Sequence, residues 1–126
     1  MQTTRPVFLD LWRIKLPPSG IVSILHRISG VLMVLAIPFA AVLFHLALSG
    51  PAGFASAAAV FESWIVKLFL VLLAWSLLHH LFAGIRFLLL DVGIGLDRSV
   101  ARRSAIIAMV AAVLVLILVI GGGLAQ

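Results

Sequence analysis

Three long apolar runs govern what this chain can become. The third, from about Ser104 to Leu124, contains no charged residue. The second, from about Glu62 to Leu90, has no formal charge between Lys67 and Arg86, and the first covers about Ile21 to Leu48. Each is long enough to cross a hydrocarbon layer of roughly 30 Å at about 1.5 Å per helical residue. Lipid offers backbone groups no partners, so a spanning segment of this kind must be helical. The sequence therefore predicts an all-α membrane protein with three transmembrane helices, at about 21–48, 62–90 and 104–124. These form a single transmembrane domain over residues 1–126.

Composition agrees. Of the 126 residues, 64% are hydrophobic and 10% charged, against about a quarter charged in a soluble domain. Nine basic and four acidic residues cannot supply a polar shell. The absence of cysteine excludes disulfides, thiolate metal sites and cysteine nucleophiles. A net charge of +5 suggests nucleic acid in a soluble protein. Here the basic residues sit beside apolar runs and speak instead of membrane orientation, with no nucleic-acid partner.

That orientation follows from the loops. Arg5, Arg13 and Lys15 precede the first run, and Arg98, Arg102 and Arg103 lie between the second and third. The connector from about Ser49 to Phe61 contains neither Lys nor Arg. By the positive-inside rule, the N-terminus and second loop are cytoplasmic, and the first loop and C-terminus lie outside. Residues 1–20 lack the unbroken apolar stretch of a signal peptide. Trp12 and Trp64 stand where interfacial anchors are expected. The first loop, opening Ser-Gly-Pro-Ala-Gly-Phe, reads as a connector. Pro17 and Pro18 stop any upstream helix, and Ser19 is a candidate cap for the next. Pro38 is a candidate kink, and Ala105, Ala108, Ala111 and Ala112 allow a close helix neighbour.

Ionisable groups inside a span are costly and default to functional candidates. Ser23, His26, Arg27 and Gly30 fall within an arc of about 100° on the first helix. Snorkelling of Arg27 to the headgroups is the bland explanation, but it requires neither the Ser nor the His. On the second helix, His80 shares a face with Ser76, Gly84, Phe87 and Asp91. His79 points about 100° away, nearer Trp75, Ala83 and Arg86. His80 lies about 16 Å of helix rise from Asp91 at the inner end, well inside the bilayer. A neutral imidazole there needs an acceptor, a proton pathway or a metal. A haem iron takes an axial imidazole, and Gly84 is a small neighbour for a flat macrocycle. Interhelical hydrogen bonding is the alternative. His45 near the outer end of the first run reads as interfacial, and Glu62 and Lys67 are close enough to pair.

The string Ser23-Ile24-Leu25-His26-Arg27-Ile28-Ser29-Gly30 resembles a signature of the cytochrome b membrane-anchor subunits of succinate dehydrogenase, respiratory complex II. So does His80-Leu81-Phe82-Ala83-Gly84-Ile85-Arg86 followed by Asp91, and the opening Arg5-Pro6-Val7-Phe8-Leu9-Asp10-Leu11 looks like that family's start. Nearly the whole chain is covered, and the look is proteobacterial. The resemblance implies that His80 is one axial ligand of haem b, the second coming from a partner anchor subunit. It implies quinone-binding roles for Ser23 and Arg27, with ubiquinone favoured, and places His26 and Arg27 near the haem propionates. Asp91 marks a candidate proton route. Many relatives carry His directly after the motif arginine, where this chain has Phe87.

The implied partners are a second membrane anchor, an iron–sulfur subunit and a flavoprotein subunit, in the bacterial inner membrane. This chain has no flavin fold and no cluster cysteines, so succinate oxidation must occur in soluble partners. Two other readings are a small transporter or channel subunit using Arg27, His80 and Asp91, and a haem-free structural anchor. Transport is disfavoured because Glu62 and Asp91 both sit near span ends.

Overall fold

Helices built from the three runs cross the molecule. A computed structural model describes residues 15–125; the opening motif Arg5–Leu11, Trp12 and Arg13 lie outside them. The element order is α1 (Pro18–Leu48), α2 (Pro51–Val60), α3 (Trp64–Asp91) and α4 (Arg98–Leu124). The chain is all-helical over the described residues, and α1, α3 and α4 are each long and apolar enough to span a membrane.

Local chemistry sets most helix ends. Pro17, in extended backbone, is the N-cap of α1, and Pro18 occupies the first turn, where its missing N–H is not needed. Ser19, expected as a cap, instead lies inside the helix and turns toward α4, where its hydroxyl reaches the Ala101 carbonyl at 3.5 Å. Helix α1 continues through Pro38 to Leu48. At the end of α3, Gly93 adopts φ +84°, the left-handed conformation that lets a chain leave a helix, and its N–H donates to the Leu90 carbonyl. Gly95 at φ +81° completes the turn into α4.

The connector after α1 differs from its turn-rich reading, because Pro51–Val60 is a helix. Pro51 opens that helix and the run Ala55-Ser56-Ala57-Ala58-Ala59 favours its continuation. The three chain segments α1, α2 and α3 enclose an open apolar groove of about 820 Å³, lined by residues including Phe39, Phe54 and Phe69.

Small residues form the contact surface between helices. The buried apolar positions are Val22, Ala36, Ala57, Ala83, Ala105, Ala108 and Ala112. Three of the four alanines noted on the last run are buried, so α4 approaches its neighbours as its sequence predicts. Large apolar side chains such as Phe39, Leu77 and Leu118 point outward. That inverts a soluble core, as expected where the surroundings are lipid and other membrane helices.

Candidate functional site

Two histidines from different helices meet between α1 and α3. The His80 and His26 rings stack with centroids 3.9 Å apart and an interplanar angle of 13°. Each rests against a glycine of the opposite helix. A Cβ added to Gly30 would lie 3.1 Å from His80 Cε1, and one added to Gly84 would lie 3.5 Å from His26 Nε2. Gly84 thus makes room for His26. Gly30 is the residue that lets His80 approach α1.

Hydrogen bonds define which nitrogen of His80 is engaged. Its Nδ1 lies 3.1 Å from the His26 carbonyl and 3.1 Å from Ser29 Oγ. Ser29 donates its own hydroxyl hydrogen to the same His26 carbonyl at 2.8 Å. A carbonyl only accepts, so this contact is a hydrogen bond in the tautomer with the proton on Nδ1, which leaves the lone pair on Nε2. Among the described residues, Nε2 has no hydrogen-bond partner. His80 is half-buried and turned toward α1.

His79 takes the other direction, as its helical position predicts. It stacks on Trp75 with centroids 5.2 Å apart and is 1% exposed. Its Nε2 is buried without a hydrogen-bond partner. Of the adjacent pair, only His80 reaches the His26 ring.

The remaining expected residues separate by environment. Ser23 is half-buried and Arg27 exposed on α1. Arg27 joins Gly30, Val31, Val34 and Leu35 around an open depression of about 470 Å³. Asp91 is the exposed last residue of α3. Glu62 and Lys67 pair at 3.3 Å, and His45 is exposed in the last turn of α1. Phe87 meets His26 edge-on at 5.2 Å. It supplies an apolar wall beside that ring.

Arg86, quoted in the sequence only as part of a motif, has a larger structural part than expected. It is 6% exposed. Nε donates to Ser104 Oγ at 3.0 Å, and Nη2 donates to the Ala101 carbonyl at 3.0 Å and to Ser19 Oγ at 3.4 Å. One guanidinium therefore joins α1, α3 and α4. Its planar fork suits several acceptors at once. The sequence signal was present: Arg86 is the sole formal charge in the second run after Lys67.

Comparison with known proteins agrees with this architecture. A family model described as succinate dehydrogenase/fumarate reductase transmembrane subunit matches residues 1–120. A succinate dehydrogenase cytochrome b556 subunit from Coxiella burnetii (strain RSA 493 / Nine Mile phase I) is 36% identical over 120 residues, covering 94% of this chain and 95% of that protein. Another of the same description, from Paracoccus denitrificans, is 36% identical over 101 residues, covering 80% and 78%. These matches favour the anchor reading over the transporter reading. Together with three apolar helices they make this a multi-pass protein of the bacterial inner membrane. The chain belongs to the succinate dehydrogenase/fumarate reductase transmembrane subunit family and is a membrane-anchor subunit of a succinate dehydrogenase.

Proposed function

We propose that this subunit binds haem b through His80 and helps form the quinone-reduction site of its complex. The observation that carries the haem reading is the engagement of His80 Nδ1, which leaves the Nε2 lone pair as the ligating atom. The donor set fits haem shared between two chains. His80 offers an imidazole held at Nδ1, and the described residues contain no group of three His, Cys, Asp or Glu able to hold a bare metal ion. The relatives' description as cytochrome b556 subunits supports the same reading. When bound, haem would supply a one-electron carrier, held by His80 and by a further residue of a partner anchor subunit. His26 and Arg27 serve its propionates.

The quinone, ubiquinone by preference, is placed beside the first turns of α1. Ser23 donates a hydrogen bond to a carbonyl oxygen of its ring. Arg27 stabilises that oxygen as it gains negative charge, an interaction stronger in a low-dielectric site than in water. The apolar walls of the depression beside Arg27 suit the isoprenoid tail. Asp91, exposed at the end of α3, relays protons from the cytoplasmic side. An iron–sulfur subunit and a flavoprotein subunit complete the enzyme and oxidise succinate.

A reduced-minus-oxidised visible spectrum of the purified complex tests the cofactor. A low-spin b-type signal is expected. A fully assembled complex without one leaves a haem-free structural anchor.

A further inference from the structure

We infer that Ser29 is the positioning residue of His80: its hydroxyl and the His26 carbonyl together hold Nδ1 and direct the Nε2 lone pair to its ligand. This rests on the haem reading above and concerns a residue outside the ligand itself.

Ser29 is completely buried on α1. Its single hydrogen goes to the His26 carbonyl of its own helix at 2.8 Å, which turns its lone pairs toward α3. His80 Nδ1 stands 3.1 Å away, with the same carbonyl also at 3.1 Å. Three atoms thus close a triangle in which the only proton free to enter is that of Nδ1. The serine cannot donate to Nδ1 without releasing the carbonyl, and the carbonyl cannot donate at all. The tautomer with a proton on Nδ1 is the one that satisfies both contacts while Ser29 keeps its bond to the His26 carbonyl.

Gly30, the next residue, completes the seat. A Cβ there would stand 3.1 Å from His80 Cε1, tighter than ordinary contact. Stacking on His26 restrains the opposite freedom, rotation of the ring out of its plane. The ring is therefore held at Nδ1, along its edge and across its face, all by residues 26–30 of α1. A hydrogen-bond acceptor on the remote nitrogen makes a ligating imidazole more basic and fixes its plane.

The test compares Ser29→Ala and Ser29→Thr in the assembled complex, using haem content, the low-spin ferric electron paramagnetic resonance spectrum and a redox titration. Ser29→Ala should retain haem but shift the largest g value and raise the midpoint potential, because the imidazole donates less electron density. Ser29→Thr, which keeps the hydroxyl, should return both toward the unsubstituted values. Full haem content with an unchanged spectrum and potential in Ser29→Ala overturns the proposal. Should neither variant assemble, proton electron–nuclear double resonance of the unsubstituted ferric complex decides. A hydrogen-bonded, exchangeable Nδ1 proton on the axial imidazole supports the inference, and its absence overturns it. Failure of the haem reading has its own signature, a normal b-type signal in His80→Ala or none in the unsubstituted complex.

Discussion

The imidazoles of His26 and His80, from helices separated by the whole of the first loop, lie face to face at 3.9 Å. Each fills space left by a glycine on the other's helix. This reciprocal fit joins the two sequence motifs into one site. A residue of the proposed quinone-side motif thereby touches the proposed haem ligand directly.

The two adjacent histidines should respond differently to removal. His80→Ala is expected to lose most of the b-type signal if, as proposed, Nε2 is the ligating atom. His79→Ala should retain that signal while lowering the midpoint of thermal unfolding, since it removes a fully buried ring stacked on Trp75. Visible spectra and thermal melts of the purified complexes separate the two outcomes. Equal spectra in both variants would contradict the assignment.

The two glycines should also differ. Gly30→Ala places a methyl 3.1 Å from His80 Cε1 and should alter the haem spectrum. Gly84→Ala places one 3.5 Å from His26 Nε2, an ordinary contact. There the gain in helix propensity, about 0.5–1 kcal/mol, should leave stability level or slightly higher. Visible and paramagnetic resonance spectra of the two variants provide the comparison.

Ser23→Ala and Arg27→Ala should depress succinate-dependent quinone reduction by about tenfold or more, the effect of losing roughly 1.4 kcal/mol or more of transition-state stabilisation. Succinate oxidation with a soluble artificial acceptor should change far less. Parallel losses in both assays indicate failed assembly instead.

Arg86→Leu should loosen the inner end of the bundle. It removes the donor that reaches Ser104, Ala101 and Ser19 from α3. Interhelical hydrogen bonds in membranes contribute about 0.6–2 kcal/mol each, so the unfolding midpoint of the complex in detergent should fall clearly. Arg86→Lys should recover only part of that loss, since an ammonium lacks the fork that reaches three acceptors.

Ala105→Leu tests the packing of α4. Ala105 is 0% exposed within the cluster containing Val22 and Ala83. A larger side chain there should destabilise the bundle by about 1–3 kcal/mol, measured as a lower unfolding midpoint. Leu118→Ala, on the outward face, provides the lipid- or partner-facing comparison.

Much of this is legible in the amino-acid sequence. Hydropathy located the three long helices, since segments without charge have few alternatives in lipid. Helical periodicity separated His79 from His80, and the two rings meet different neighbours, Trp75 for His79 and His26 for His80. The α2 helix was obscured because Pro and Gly at its start resemble a turn, while the alanine run that sustains it is locally ambiguous. Ser19 illustrates the same difficulty. A serine after two prolines suits a cap, yet the helix begins two residues earlier than that role requires.

What the sequence alone determined is the class: a three-span helical membrane subunit with one ionisable stripe on each of its first two helices. Those properties depend on composition and on neighbours three or four residues apart. Tertiary structure decided which groups touch. Ser29 reaches His80 across 51 positions, and Arg86 reaches Ser19 across 67. No local pattern encodes those pairings, because they arise from the depth and rotation at which small residues let whole helices approach one another.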